Sequence, residues 1–182
     1  IIENSTGEIK AIVGGRESDE RHFLNRASSY PRQPGSTMKP LAVYAAVLGQ
    51  GYNLGSAQDD TPFRLLDGVY DDYGNEMPWP RNVDGRFRGI TSVMEALRLS
   101  LNTVTVKWLD QIGLDVSKEY LARFGIINRQ HPERDYFVQA NENPNHNDEN
   151  LAMSLGAMTD GQTTLSMASA YQAIGNNGQH IE

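Results

Sequence analysis

Ser36 and Lys39 are the two residues of this sequence whose types and spacing are best suited to chemistry. Side chains three positions apart in one helical turn project on the same side of the helix. A serine hydroxyl becomes an effective nucleophile when a neighbouring base removes its proton. Lysine can be that base when burial and the positive end of a helix disfavour its ammonium form. The pair therefore indicates acyl transfer through a covalent serine intermediate.

An ordinary structural role also fits this pair, because Ser36 could cap a helix and Lys39 could be a surface charge. The position of the pair favours chemistry. A Pro-Gly turn at Pro34 and Gly35 brings it to the start of Pro40–Leu48, the most apolar helical run in the chain. The free backbone N–H groups at such a start could also hold an oxyanion.

The run Pro40–Leu48 is apolar on every face, which predicts a buried helix rather than a surface one. Proline is tolerated only in the first turn of a helix, and glycine commonly follows the last turn. Pro40 therefore places Ser36 and Lys39 in the first turn, and Gly49 and Gly51 end the helix.

A second polar group, Ser100-Leu101-Asn102, is expected at a tight corner between two helices. A capping-box pair, Ser92 and Glu95, opens the first helix, which runs to about Leu99. Asn102 is expected to cap the second, Thr103–Ile112, which ends at Gly113. At such a corner the Ser100 hydroxyl could relay a proton and the Asn102 amide could hold a peptide. Taken alone, the tripeptide is more often an ordinary helix end and cap.

The remaining pattern is a mixture of short β-branched runs, polar loops and helices, and it predicts a helix-rich α+β fold. The adjacent acids Asp59-Asp60 and Asp71-Asp72 are interpreted as solvated loop residues. The other expected elements are an opening hairpin of Ile1-Ile2 and Ile9–Val13, a surface loop Arg16–Ser29, a long surface excursion over residues 52–90, a helix capped by Asp115 or Ser117 and running to Phe124, a loop over residues 126–150, and a helix Leu165–Ile174 opened by Thr163 or Thr164.

Composition excludes several classes of function. The chain has 182 residues, a length typical of one domain, and a formal net charge of −7, which disfavours a nucleic-acid binder. It contains no cysteine, and its four histidines form no pair at helical spacing, so no metal site is predicted. Phosphate-binding glycine motifs are absent, and no apolar stretch approaches the ~18 residues of a membrane span.

The motifs together resemble those of class A penicillin-binding proteins, the bifunctional peptidoglycan synthases. The Arg-Gln-Pro-Gly that precedes Ser36 favours class A over the monofunctional class. The resemblance covers nearly the whole chain in family order and rests on Gly7–Gly15, Phe23–Ala27, Arg32–Pro40, Pro78–Gly85, Ala96–Asn102, Leu151–Gly161 and Thr163–Tyr171.

The resemblance implies a helix-rich part of the penicillin-binding transpeptidase and serine β-lactamase fold, with an incomplete antiparallel sheet. It implies that Ser36 is the acylated nucleophile and Lys39 its base. Ser100 would pass a proton to the leaving group, and Asn102 would bind the acyl-donor peptide. The implied substrates are peptidoglycan stem peptides ending in D-Ala-D-Ala, β-lactams would acylate the same serine, and no cofactor is implied. The implied location is the extracytoplasmic face of the bacterial cell membrane.

The family's third motif, Lys-Thr-Gly or Lys-Ser-Gly, does not occur among the 182 residues. The sequence is therefore expected to be a partial transpeptidase domain, without the strands that carry that motif, the glycosyltransferase domain and the membrane anchor. Such a fragment is expected to turn over little or no substrate, because loss of one oxyanion donor typically costs ~10²–10³ in rate. An uncovered edge at the opening hairpin is expected to favour self-association.

Two other functions share the same residues. A D,D-carboxypeptidase or serine β-lactamase would use Ser36 and Lys39 but let water resolve the acyl-enzyme. A sensor or binding module would be acylated by β-lactams, or dock a partner, without turnover. The rate of release from a β-lactam adduct discriminates among the three.

Overall fold

The apolar run that begins at Pro40 lies at the centre of the protein. The computed structural model describes residues 1–16, 25–130 and 135–181. Residues 35–49 form one continuous helical segment, here called the central helix. In chain order the elements are α1 (Arg26–Ser29), a 3₁₀ turn (Gly35–Met38), a π-helical turn (Pro40–Tyr44), α2 (Ala45–Gly49), β1 (Ala57–Asp60), β2 (Arg64–Tyr70), β3 (Glu76–Trp79), β4 (Gly89–Ser92), α3 (Val93–Arg98), α4 (Asn102–Ile112), α5 (Leu114–Arg123), a second 3₁₀ turn (Leu151–Leu155) and α6 (Thr164–Gly175).

The central helix begins as a tight 3₁₀ turn because of Pro40. Proline has no N–H to continue the bonding pattern, and the Lys39 N–H instead bonds to the Ser36 carbonyl three residues back. The helix ends at Gly49, as the sequence predicts. Ser36 and Lys39 therefore lie in its first turn, as expected.

The hydrophobic core surrounds most of the central helix, but Leu48 near its end is exposed, which corrects the prediction that the whole run Pro40–Leu48 is buried. Complete burial of one large apolar side chain stabilises the folded state by about 1.5–3 kcal/mol. Two hydrogen bonds add to this packing: the Ser117 hydroxyl on α5 donates to the Ala42 carbonyl at 2.6 Å, and the hydroxyls of Tyr44 and Thr105 lie 3.0 Å apart. The largest fully buried apolar side chains are Trp108, Tyr44, Met38, Leu41, Leu109, Leu121, Met153, Met158, Val43, Val47 and Val93.

Two small antiparallel sheets occupy most of residues 57–92, where the sequence predicts an irregular excursion. β1 pairs with β4 from Ala57↔Ser92 to Asp60↔Gly89, and β2 pairs with β3 with an irregularity in register. The expected surface excursion over residues 52–90 omits these strands because β2, although exposed as expected of a surface segment, shows no alternation of apolar and polar side chains. The β1–β4 pairing brings Asp60 close to the loop between β3 and β4, which contains Asn82 and Arg88.

Two helix caps form at the residues that the sequence predicts. The Ser92 hydroxyl accepts from the Glu95 N–H, and the Thr163 hydroxyl accepts from the Ser166 N–H. Neither Asp115 nor Ser117 caps α5, since Gly113 precedes it and the Ser117 hydroxyl bonds to the central helix.

The first residues of the chain double back as predicted, but the expected hairpin is reduced to a single bridge between Ile2 and Ile9. The expected surface loop Arg16–Ser29 ends in the short helix α1, which is a correction, and Phe23 and Leu24 lie outside the described residues. Ile1 and Val13 are more than four-fifths exposed. Self-association through this surface stays a prediction. Within the described ranges, no helix is both long and apolar enough to cross a membrane.

Candidate active site

The turn formed by residues 35–39, here called the nucleophile turn, presents Ser36 to solvent and Lys39 to the interior. Ser36 is exposed, whereas Lys39 is 1% exposed. In a 3₁₀ turn the side chains at i and i+3 project from the same side. Ser36 and Lys39 therefore follow one another along that side, with Ser36 at the exposed end and Lys39 at the buried end. Pro34 precedes this turn, and its carbonyl accepts a hydrogen bond from the Thr37 hydroxyl at 2.7 Å.

Lys39 is the centre of a polar cluster. Its Nζ donates to the Ser100 carbonyl at 2.6 Å, to the Ser100 Oγ at 3.1 Å and to the Asn102 Oδ1 at 2.6 Å. Burial disfavours the ammonium form and lowers the pKa of Lys39 to about 8. A buried amine with this pKa is partly neutral near physiological pH, which is what a general base requires.

Ser36 shares the turn with Lys39 but makes no hydrogen bond to its amine. Among the described residues the Ser36 Oγ makes no hydrogen bond, so the expected direct link between this hydroxyl and the Lys39 amine is not made. Catalytic hydrogen bonds are often loose in ligand-free structures and tighten when substrate binds. The structure thus joins three of the four predicted site residues, Lys39, Ser100 and Asn102, and places Ser36 one turn away.

Ser100 holds its two oxygen atoms against Lys39 through an unusual backbone conformation. Its φ is +54°, a left-handed value that costs roughly 1–2 kcal/mol for a residue other than glycine. The Ser100 N–H bonds to the Leu97 carbonyl and the Leu101 N–H to the Ala96 carbonyl, which is the pattern of a Schellman helix end. The position is one that glycine usually fills, and a serine here supplies a hydroxyl.

Asn102 does not cap α4, which corrects the sequence prediction. It is the first residue of that helix, and its side chain bonds to other elements: Oδ1 accepts from Lys39, and Nδ2 donates to the Arg81 carbonyl at 2.7 Å. The cap comes from Asn82, whose Oδ1 accepts from the Asn102 N–H at 2.8 Å. The segment Ser100–Asn102 is called the corner below.

Asp60 and Asn82 are buried polar residues next to the corner, and the sequence analysis missed both. Asp60 is 0% exposed and Asn82 is 4% exposed, so the interpretation of Asp60 as a solvated loop residue is wrong. Asp59, its neighbour in the same pair, is partly exposed and lies near Lys107. A signal was available in part, since Asn82 lies between Pro80 and Gly85 in a segment of the family resemblance. Nothing in the spacing connects it to Asp60.

Two glycines pack directly against the nucleophile turn and the residues before it. A Cβ on Gly156 would lie 2.1 Å from the Gly35 carbonyl oxygen, and one on Gly161 would lie 2.3 Å from the Arg32 carbonyl carbon. Arg32 and Gln162 also form an isolated antiparallel bridge. Backbone therefore meets backbone on this side of the turn, and no side chain fits between.

The whole chain is similar to known penicillin-binding proteins. The penicillin binding protein transpeptidase domain matches residues 1–182. Penicillin-binding protein 1A of Clostridium botulinum strain Langeland is 35% identical over 186 residues, covering 100% of this chain and 21% of that protein. Penicillin-binding protein 1A of Neisseria cinerea is 33% identical over 182 residues, covering 99% and 20%. The chain thus spans about a fifth of the length of these relatives.

Solved structures of such proteins have the same fold. Penicillin-binding protein 1A from Haemophilus influenzae superposes with a TM-score of 0.71 at 26% identity, covering 100% of this chain and 26% of that one. The PonA1 protein from Mycobacterium tuberculosis in complex with penicillin V superposes with a TM-score of 0.72 at 24% identity, covering 95% and 41%. The expected fold class, a helix-rich α+β part of the penicillin-binding transpeptidase fold, is confirmed, and its named strands form two small antiparallel sheets. The chain belongs to the penicillin-binding protein transpeptidase domain family.

Proposed function

We propose that this chain carries the acylation site of a serine-type D,D-transpeptidase that cross-links peptidoglycan, with Ser36 as the nucleophile. The observation that carries the proposal is the environment of the Lys39 amine. This amine is buried, its pKa is lowered to about 8, it lies one turn from an exposed serine, and it bonds to a second hydroxyl at Ser100. Family membership supports the same role.

In the first half of the reaction, the neutral Lys39 amine accepts the proton of the Ser36 hydroxyl. The Ser36 Oγ then attacks the carbonyl carbon between the two D-alanines of a stem peptide. An ester bond forms to Ser36 and the peptide C–N bond breaks. The departing D-alanine amine needs a proton, and the Ser100 Oγ, 3.1 Å from the Lys39 Nζ, can relay the one that Lys39 has taken.

In the second half, an amine of a neighbouring stem peptide attacks the acyl-enzyme ester. It loses a proton along the same route, through Ser100 and Lys39, and Ser36 regains its hydroxyl proton as it leaves. Asn102 orients the donor peptide, since one N–H of its amide remains after the bond to the Arg81 carbonyl. A new peptide cross-link is the product, and no cofactor takes part. The enzyme acts where this substrate lies, at the extracytoplasmic face of the bacterial membrane.

A β-lactam contains a strained amide that Ser36 would open in the same way, forming a stable ester. The test uses protein expressed from the complete natural gene, a fluorescent penicillin and intact-mass analysis. We expect the protein mass to increase by the mass of one whole penicillin, and we expect the adduct to be released slowly, over hours. The Ser36→Ala variant is expected to lose the adduct completely because it has no nucleophile.

Ser29→Ala is the matched control, since Ser29 is an exposed serine on α1 whose hydroxyl lies 3.2 Å from that of Ser28 and is not bonded to the Lys39 cluster. It should be labelled like the unchanged protein. Adduct on Ser36→Ala at the unchanged rate would refute the assignment of the nucleophile. Release within seconds would instead indicate a hydrolase of the β-lactamase or carboxypeptidase type.

A further inference from the structure

We propose that Asn82 is a positioning residue that sets Asn102 against the Lys39 amine by capping α4 from outside that helix. The inference rests on the proposed function, because its consequence is the rate of Ser36 acylation. Asn82 lies 20 positions before Asn102 in the sequence and touches neither Ser36 nor Lys39 by any hydrogen bond in the described residues. Asn82 therefore affects the acylation rate only through its contacts with the corner.

The start of α4 has no cap of its own. Leu101 occupies the N-cap position, and leucine has no side-chain acceptor for the free N–H groups of the first turn. Asn82 supplies that acceptor: its Oδ1 receives the Asn102 N–H at 2.8 Å and the Thr103 N–H at 3.4 Å. One amide oxygen thus fixes the first two residues of the helix.

Asp60 fixes the position of this amide in turn. The Asn82 Nδ2 donates to the Asp60 Oδ1 at 2.8 Å and to the Arg86 carbonyl at 2.8 Å, which uses both of its N–H groups. Asp60 also accepts from the Thr103 hydroxyl and, at 2.9 Å, from the Arg88 N–H. A fully buried carboxylate therefore determines which way the Asn82 amide points.

The same short segment also holds the side chain of Asn102. The Arg81 carbonyl, next to Asn82 in the chain, accepts from the Asn102 Nδ2, which leaves Oδ1 directed at Lys39. Backbone and side chain of Asn102 are thus held by adjacent residues. If the Asn82 acceptor is lost, the N–H groups of Asn102 and Thr103 lose their partner and the amide facing Lys39 shifts with them. A misplacement of about 1 Å can cost about 100-fold in rate.

The test measures the acylation rate constant with a fluorescent penicillin, and the melting temperature, on protein from the complete gene. Asn82→Ala is expected to lower the acylation rate constant by about 10- to 100-fold. Ser92→Ala is the matched control, because it also removes a helix cap, on the adjacent α3, whose acceptor touches no part of the corner. We expect Ser92→Ala to lower the melting temperature and leave the acylation rate within about twofold.

Rescue separates positioning from general destabilisation. In the double variant Asp60→Asn/Asn82→Asp the new carboxylate faces the N–H groups of α4 and the new amide at position 60 can donate to it. The Arg86 carbonyl loses its donor, so we expect a lower melting temperature, but the acceptor that holds the start of α4 is restored. We expect this variant to regain most of the acylation rate that Asn82→Ala loses. It also decides the question if Asn82→Ala does not fold.

Two results would overturn the inference. One is an Asn82→Ala variant that is acylated as fast as Ser92→Ala; the other is a folded exchange variant at least 10-fold slower than the unchanged protein. In either case the proposed function stands if Ser36→Ala abolishes labelling. Labelling that survives Ser36→Ala would instead refute the proposed function, whatever the Asn82 variants do.

Discussion

The nucleophile turn and the corner meet at Lys39, and they are held in place by different means. Gly156 lies so close to the turn that its position admits no Cβ, and the contact is made between backbones. The corner is held by buried side chains, Asp60 and Asn82, through hydrogen bonds to the start of α4. One region is thus fixed by shape and the other by polar partners.

These two means respond to substitution in different ways. Backbone packing resists the loss of any single polar group but fails when an atom is added, because the chain has no room to give. A buried network tolerates small changes of volume but fails when one partner is removed, because the other is left without a hydrogen bond. The turn that carries the proposed nucleophile is therefore expected to be sensitive to added volume, and the corner to lost partners.

Lys39 belongs to both regions, and among the variants that test this contrast its loss has the largest expected effect. Lys39→Gln keeps a polar side chain but removes the base, and we expect acylation to fall by about 10³-fold, within the usual 10²–10⁴ range for general bases. With Lys39 present, the reactive form is the neutral amine. The acylation rate should therefore fall about tenfold for each pH unit below a pKa of about 8 and level off above it.

Rates measured from pH 6 to 10 test this prediction, with the melting temperature as a check on folding. The Lys39→Gln variant should lose the rise with pH as well as the rate. A variant that keeps the rise would show that another group is the base.

The next largest effect should come from Gly156→Ala, which adds one carbon atom beside the nucleophile turn. The new Cβ would meet the Gly35 backbone at 2.1–2.5 Å, and the φ of +75° adds strain of its own. We expect the free energy of unfolding to fall by about 2–5 kcal/mol, the sum of overpacking and left-handed strain. Denaturant unfolding measures the change.

Gly68→Ala is the control for the strain alone. Gly68 has a nearly equal φ of +73°, and its Cβ would meet no atom within 4 Å. Gly68→Ala should lower the free energy of unfolding by about 1 kcal/mol. Equal losses for the two variants would show that the approach of Gly156 to Gly35 does not hold the turn.

Local signals in the sequence predicted the turn well. Pro40, the apolar run behind it and Gly49 define the central helix within a few residues, and Ser92 and Thr163 each cap the helix expected of them. In all these cases the residues that determine the structure are close in sequence.

The supports of the corner were not predictable in this way. Asp60 and Asn82 are 22 positions apart and meet because β1 pairs with β4, two four-residue strands that show no alternation of apolar and polar side chains. Asn102 has the residue type of a cap, and only the tertiary structure reveals that its side chain serves Lys39 instead. Long-range polar contacts of this kind follow from the fold and cannot be read from spacing.

The smallest expected effect distinguishes the two regions most directly. Tyr171 on α6 makes a side-chain hydrogen bond to the nucleophile turn: its hydroxyl donates to the Thr37 carbonyl at 2.8 Å. Among the described residues, the other side-chain bonds between this turn and another element are those of Lys39. If backbone packing holds the turn, Tyr171→Phe should cost about 1 kcal/mol in stability and slow acylation by less than about threefold. Tyr44→Phe is the matched control, since it removes a hydroxyl bonded to Thr105 in the core, and Thr105 keeps its bond to the Leu101 carbonyl. A loss of acylation of 10-fold or more in Tyr171→Phe alone would mean that the turn, like the corner, depends on a side-chain partner, and the contrast between shape and polar network would be wrong.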